Sequence, residues 1–144
     1  AKILREESTK MDISEADVII AGGFGLGSAE AFQQLQKLAD CFKNSTIAAS
    51  RKAVDAGWIS YPYQVGQTGK TVRPKLYIAC GISGALQHRV GMQKADKIIA
   101  INKDPDAAIF SFADHGIVGD VFQVISEMIK QVKAMESKKE LAGV

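Results

Sequence analysis

Ser50, Arg51, Ser83, Asn102 and Asp120 are the residues of this 144-residue chain whose types and neighbours best suit chemistry, and the chemistry they suit is the holding of an anionic, ring-bearing ligand. Ser50-Arg51 sets a hydroxyl beside a fixed cation that can grip a pyrophosphate or lie against a planar, electron-rich ring; an ion pair from Arg51 to Asp55 at i+4 is its competing use. In Gly81-Ile82-Ser83-Gly84 the glycines let main chain approach a phosphate closely and the Ser83 hydroxyl can donate to it, although Ser83 as a plain helix cap explains the same residues. Asn102 and Asp120 can hydrogen-bond a ribose or an adenine edge; an Asx turn before Pro105 and a helix N-cap are the structural alternatives.

Other candidates are weaker. A lone His88 on a predicted helix is more often structural than ligating, and His115 beside Asp114 has no nucleophile at a defined spacing, so it reads as a turn residue. Gly66-Gln67-Thr68-Gly69-Lys70 lacks the first glycine of a Walker pattern, which excludes nucleoside triphosphate hydrolysis but leaves the Thr68 hydroxyl and several N–H groups free to meet a ligand ring. Gly22-Gly23-Phe24-Gly25-Leu26-Gly27 does not carry the dinucleotide-fold spacing and serves equally well as a tight strand-to-helix turn. No catalytic set and no Cys, His or carboxylate cluster for a metal emerges.

Five short apolar runs must position these groups: Val18 to Ala21, Ile47 to Ala49, Leu76 to Cys80, Ile98 to Ile101, and Ile117-Val118, each breaking at its carboxyl end into small or hydrogen-bonding residues. Between them, three-to-four-residue spacing predicts a helix from Ala29 to Phe42 capped by Ser28, a short one from Lys52 to Gly57, one from Gly84 toward Gly91, and one from Asp120 to about Lys133, running into a charged, solvated end. Cys41 falls on the first of these. Ser14-Glu15-Ala16-Asp17 imitates a capping box, but the β-branched run after it favours a strand, and the stretch from Trp58 to Pro74 has no usable period and reads as a functional loop. Alternating strand and crossover helix give the fold class: α/β, three-layer α/β/α, with a mainly parallel, Rossmann-like sheet of about five or six strands. Ligands of such sheets bind outside the carboxyl ends of the strands, where helix N-termini favour phosphate.

Composition sets the outer limits. With 47% hydrophobic and 24% charged residues and a net charge of +2, the chain has material for a real core and no electrostatic footprint for nucleic acid. No apolar stretch approaches the roughly 20 residues of a membrane helix, and the start has no signal-peptide pattern. Cys41 and Cys80 suggest no disulfide framework, in keeping with a reducing compartment. The chain opens without Met on a polar lead-in, residues 1–13, and closes on a charged tail, residues 134–144, around one expected domain; a longer protein is expected to have been cut or processed. On these grounds alone a redox cofactor and an adenine nucleotide serving a regulatory or assembly module remain alternatives.

Five strings, in order, resemble the carboxyl-terminal FAD-binding domain of the electron transfer flavoprotein alpha subunit: Ser50 to Gly57, Val65 to Lys70, Leu76 to His88, Ile101 to Pro105, and Ala113 to Gly116. The likeness runs from about Asp17 to about Lys133. It implies FAD as cofactor, with Arg51 over the flavin ring, the Thr68 hydroxyl near N5, His88 near the N1 and C2-carbonyl side, and Val65, Gly66 and Gln67 along the ring. It further implies ribityl and pyrophosphate contacts from Ser50, Ser83 and the main chain through Gly84, Ala85, Leu86 and Gln87, and adenosine contacts from Asn102 and Asp120. Such groups favour reduced, negatively charged flavin and raise its potential, so the protein tunes chemistry that the cofactor performs, as an electron carrier rather than a stand-alone catalyst. The implied partners are an electron transfer flavoprotein beta subunit, an acyl-CoA or similar dehydrogenase as donor, and a quinone reductase or similar acceptor, with a bacterial cytoplasm, or a mitochondrial matrix, as the setting. Two departures stand out. The family commonly carries Arg where this chain has Phe24, and the alpha subunit's amino-terminal α/β domain has no counterpart in these residues.

Overall fold

Along each of the three central strands, side chains of opposite parity go to opposite faces, and both faces are buried. In the computed structural model, which describes residues 12–141, Ile19, Ala21, Tyr77, Ala79, Ile98 and Ala100 join one core, while Ile20, Ile78, Cys80 and Ile101 join the other. This is the period-2 signature of a sheet covered on both sides. The strands are β1 (Val18–Gly22), β2 (Ser45–Ala49), β3 (Leu76–Cys80), β4 (Lys97–Asn102) and β5 (His115–Val118). All pair in parallel, in the order β2-β1-β3-β4-β5, so the direction of winding reverses between β1 and β3. The fold is a three-layer α/β/α, Rossmann-like arrangement with five strands.

Among the described residues four α-helices accompany the sheet: α1 (Ala31–Ala39), α2 (Arg51–Asp55), α3 (Leu86–Met92) and α4 (Val121–Leu141). Phe32, Leu35 and Leu38 of α1 and Val121 and Ile125 of α4 close one core. The other is closed by Met92 of α3, Ile13, Ile109, and Val65 and Val72 of the long loop. Among the described residues that second layer is thin: one seven-residue helix, three 3-10 turns (Ile13–Glu15, Tyr61–Tyr63 and Ala108–Ser111) and loop. Right-handed crossovers on either side of the reversal require helices on opposite faces, as found for α1 and α3.

Several expectations shift. Ser28 does not cap α1, which starts after Glu30 and stops at Ala39; Gly27, at φ 86°, turns the chain first, and a tight turn at Ala29-Glu30 precedes it, leaving Cys41 beyond the helix. Helix α3 begins at Leu86 behind Ala85, because Gly84 is held at φ 87°. Helix α4 runs two turns past Lys133, and His115 is not a turn residue but the first residue of β5, paired with Ile99. The capping-box look-alike forms a single 3-10 turn capped by Asp12, and the 58–74 stretch carries only the Tyr61–Tyr63 3-10 turn and two isolated bridges. Of the polar lead-in, residues 1–11 lie outside the described residues, while Ile13 is core. The tail's last three residues, 142–144, also lie outside them.

Candidate functional site at the carboxyl edge of the sheet

The loops leaving β1, β2, β3 and β4 enclose a cleft of about 430 Å³, within the range of small-molecule sites. Of the residues singled out from sequence, Ser50, Arg51, Ser83, Ala85, Gln87, His88 and Asn102 line it. Phe24, noted above only as a departure from the family's Arg, lines it too, as do Lys52 and Asp104, which were not singled out. The remaining candidates, Val65, Gly66, Gln67, Thr68, Gly84, Leu86 and Asp120, stand outside the lining.

Each lining side chain is placed by a local device. Ser50 caps α2, its Oγ accepting from Ala53 N at 3.4 Å, and its own O–H is left over for a ligand. Arg51 pairs with Asp55 at 3.4 Å, yet both side chains are about two-thirds exposed (64% and 65%), so the pair is weak and the guanidinium keeps free donors. Asn102 donates from Nδ2 to the Ile82 carbonyl at 3.1 Å and accepts from Asp104 N at 3.0 Å, the Asx turn considered above, which fixes the amide at the end of β4 with one N–H still available. Lys52 adds a second cation beside Arg51, whereas the Asp104 carboxylate at the far end suits hydroxyls rather than phosphates.

Backbone shape does the rest. Gly84 sits where a Cβ would lie 2.5 Å from Ile109 N, and the Ser83 carbonyl accepts from that same N–H at 2.8 Å, drawing the β3 loop down onto the 108–111 turn. At the switch point the β1 and β3 loops do not splay: Gly23 N donates to the Cys80 carbonyl at 2.9 Å and Gly25 N to Gly81 at 3.1 Å, and a Cβ on Gly23 would meet the Gly81 oxygen at 2.5 Å. The cleft therefore lies across the strand ends rather than between β1 and β3.

His88 is 7% exposed and lies on α3, with Nε2 2.8 Å from the Tyr77 hydroxyl. Burial pushes its pKa down to about 4, against a weaker upward pull from the Val65 carbonyl, which lacks hydrogen-bond geometry to the ring. The imidazole is neutral near pH 7. Tyr77, fully buried and with its own ionisation pushed up by burial, donates to Nε2 as the better acid; the ring proton then sits on Nδ1, which is buried without a hydrogen-bond partner. An unsatisfied buried donor in the wall of a cleft is what a ligand acceptor would relieve.

The 64–70 loop docks beside this wall. Gln67 N donates to the Gln87 carbonyl at 2.7 Å, and Gln64 Nε2 donates to Thr68 Oγ1 at 2.9 Å, leaving the Thr68 hydroxyl proton unused. Tyr61 Oη donates to the Thr68 carbonyl, and Lys70 pairs with Asp12 at 2.7 Å, which together with the bonds from Ser14 holds the Asp12 carboxyl down to about 2. Asp120, outside the cleft beyond β5, caps α4 through a 3.0 Å bond from Gln123 N.

Residues 12–93 match the family described as the electron transfer flavoprotein FAD-binding domain. The chain belongs to that family. It is 54% identical over 134 residues to the electron transfer flavoprotein subunit alpha of Thermoanaerobacterium thermosaccharolyticum (93% of this chain, 40% of that protein). It is 56% identical over 136 residues to the protein FixB of Clostridium saccharobutylicum (94% and 40%), and 49% identical over 134 residues to the subunit alpha of Bacillus subtilis (93% and 41%). The chain thus spans about two fifths of these relatives' length. The family match ends before Asn102, but the relatives' similarity reaches across nearly all of the chain. Among the described residues no helix is long and apolar enough to cross a membrane, and no group of three or more His, Cys, Asp or Glu is placed to hold a metal ion.

Proposed function

We propose that this chain is the FAD-binding part of an electron transfer flavoprotein alpha subunit, acting with a beta subunit as a carrier between a flavin dehydrogenase, such as an acyl-CoA dehydrogenase, and a quinone reductase or similar acceptor. The observation that carries the reading is that the loops after β2, β3 and β4 bring Ser50, Arg51, Ser83, His88 and Asn102 to one cleft, although they are scattered through the sequence.

The residues fit the group. Lys52, Ser50 and Ser83 supply a cation and hydroxyls for a diphosphate, and Asn102 and Asp104 supply the polar end suited to a sugar. The orphaned Nδ1–H of His88 supplies a neutral donor. FAD, when bound, accepts and returns electrons one or two at a time. The chain's part is electrostatic: Arg51 brings a fixed positive charge, and His88 can share negative charge by hydrogen bonding without itself being charged. Val65, Gly66, Gln67 and Thr68 are placed by the 64–70 loop against α3, next to Gln87 and His88, and we assign them to the ring end; Gly84 and Leu86 adjoin the lining main chain, and Asp120 is assigned to the adenosine end. The chain, freed of small molecules and mixed with FAD at micromolar concentration, is expected to retain a yellow, flavin-like visible spectrum after gel filtration. A colourless protein would end this reading, and tight binding of ADP without flavin would replace it with an adenine-nucleotide module.

A further inference from the structure

The rings of Phe24 and Trp58 stack at 5.2 Å between centroids and 6° between planes. They come from unrelated places: Phe24 from the turn after β1, Trp58 from just beyond Gly57, at φ 80° past the end of α2. Phe24 lines the cleft with Arg51, while Trp58 lines a separate cavity on the β2 flank, so the stack is the partition between the two. With one face taken by the indole, the phenyl ring is still 57% exposed. Its backbone is fixed on both sides by the bonds of Gly23 and Gly25 to the β3 strand end and loop. A large apolar ring held rigidly in water at the mouth of a cleft is a poor arrangement for stability alone and a ready platform for a flat heterocycle.

We infer that Phe24, with Trp58 as the positioning residue behind it, stacks against the isoalloxazine of the cofactor. The inference rests on the FAD reading. It assigns Phe24 to the isoalloxazine and not to the adenine because Phe24 shares the β1/β2 end of the cleft with Arg51, whereas Asn102 and Asp104 hold the β4 end, up to three strand spacings, or about 14 Å, away.

Three probes separate the possibilities: FAD, FMN, which lacks the adenosine, and ADP, which lacks the isoalloxazine. Trp58 is the chain's single tryptophan, so its emission reports directly on the stack, and all three ligands should also be titrated by calorimetry. In the unaltered chain FAD and FMN, but not ADP, are expected to quench Trp58. Phe24→Ala should weaken FAD and FMN by about three- to tenfold and leave ADP unchanged, and Phe24→Tyr should keep the affinity. Trp58→Phe should keep it as well, while Trp58→Leu should lose it to the same degree as Phe24→Ala, an effect that bulk alone would not produce. Equal affinities in Phe24→Ala and the unaltered chain, or a loss shared with ADP, would overturn the assignment while leaving FAD in the cleft. Absence of FAD binding by the unaltered chain would remove the cofactor reading and this inference together.

Discussion

Tyr77 and His88 form a buried couple, the phenol oxygen 2.8 Å from Nε2, that joins the second residue of β3 to the first turn of α3. Phe at position 77 would keep the volume but strand Nε2 in an apolar wall. Tyr77→Phe is expected to destabilise the protein by about 1–3 kcal/mol, the cost of an unsatisfied buried polar atom, seen as a lower urea midpoint with an unchanged slope. An unchanged midpoint would mean that water or a shifted ring satisfies His88.

Acid should act through the same ring. The unfolded chain takes up a proton on His88 near its ordinary value of 6.5, whereas the folded chain does so only near 4. Between those values the unfolded state binds more protons, so stability rises with pH and is lost as pH falls from about 6.5 to about 4, by about 3 kcal/mol in all. Urea midpoints at about pH 7 and about pH 4.5 should differ accordingly, and the difference should shrink in His88→Gln. Equal pH dependence in both proteins would place the effect elsewhere.

Two glycines with nearly the same backbone angle should respond differently to a methyl group. Gly27, at φ 86°, has open space around the would-be Cβ; Gly84, at φ 87°, would set it against Ile109. Gly27→Ala should cost about 1 kcal/mol, the left-handed penalty alone, and Gly84→Ala about 3 kcal/mol or more, with the β3 loop displaced from the cleft. Thermal unfolding of the two variants side by side decides the point; similar losses would show that the Ile109 contact yields.

Arg51 separates binding from stability. Its ion pair with Asp55 is exposed, so Arg51→Ala should change folding stability by less than about 0.5 kcal/mol. Affinity for FAD should fall by about tenfold, and the potential of the bound flavin should fall, because a cation beside the accepting ring is gone. A spectroelectrochemical titration showing an unchanged or higher potential would contradict the role given to this residue.

What could be read from sequence was set by how local its cause is. Leu76–Cys80 was legible residue for residue, because a continuous apolar run between polar neighbours has few other fates, and the strand ends after β2, β3 and β4 pointed to the cleft through Ser50, Ser83 and Asn102. Boundaries failed where tertiary pairing overrode polarity: Ser45 and Lys97 belong to strands, and His115, read as a turn, is carried into β5 by its ladder with β4. Helix α4 outran its apolar stripe because Glu, Lys and Met sustain a helix in water without a core to face. The Phe24–Trp58 stack and the Tyr77–His88 couple left no trace in any period, since each joins two elements whose closeness only the fold creates.

Gly23 and Gly25 carry the whole backbone junction with the β3 strand end and loop, and the side chain between them carries none of it. Position 24 is thus an interchangeable bit held in a fixed chuck: its side chain can be exchanged without breaking the bonds on either side of it. A saturation library at this single codon would sample ligand preference almost independently of folding, and the same library at position 23 or 25 would be mostly dead.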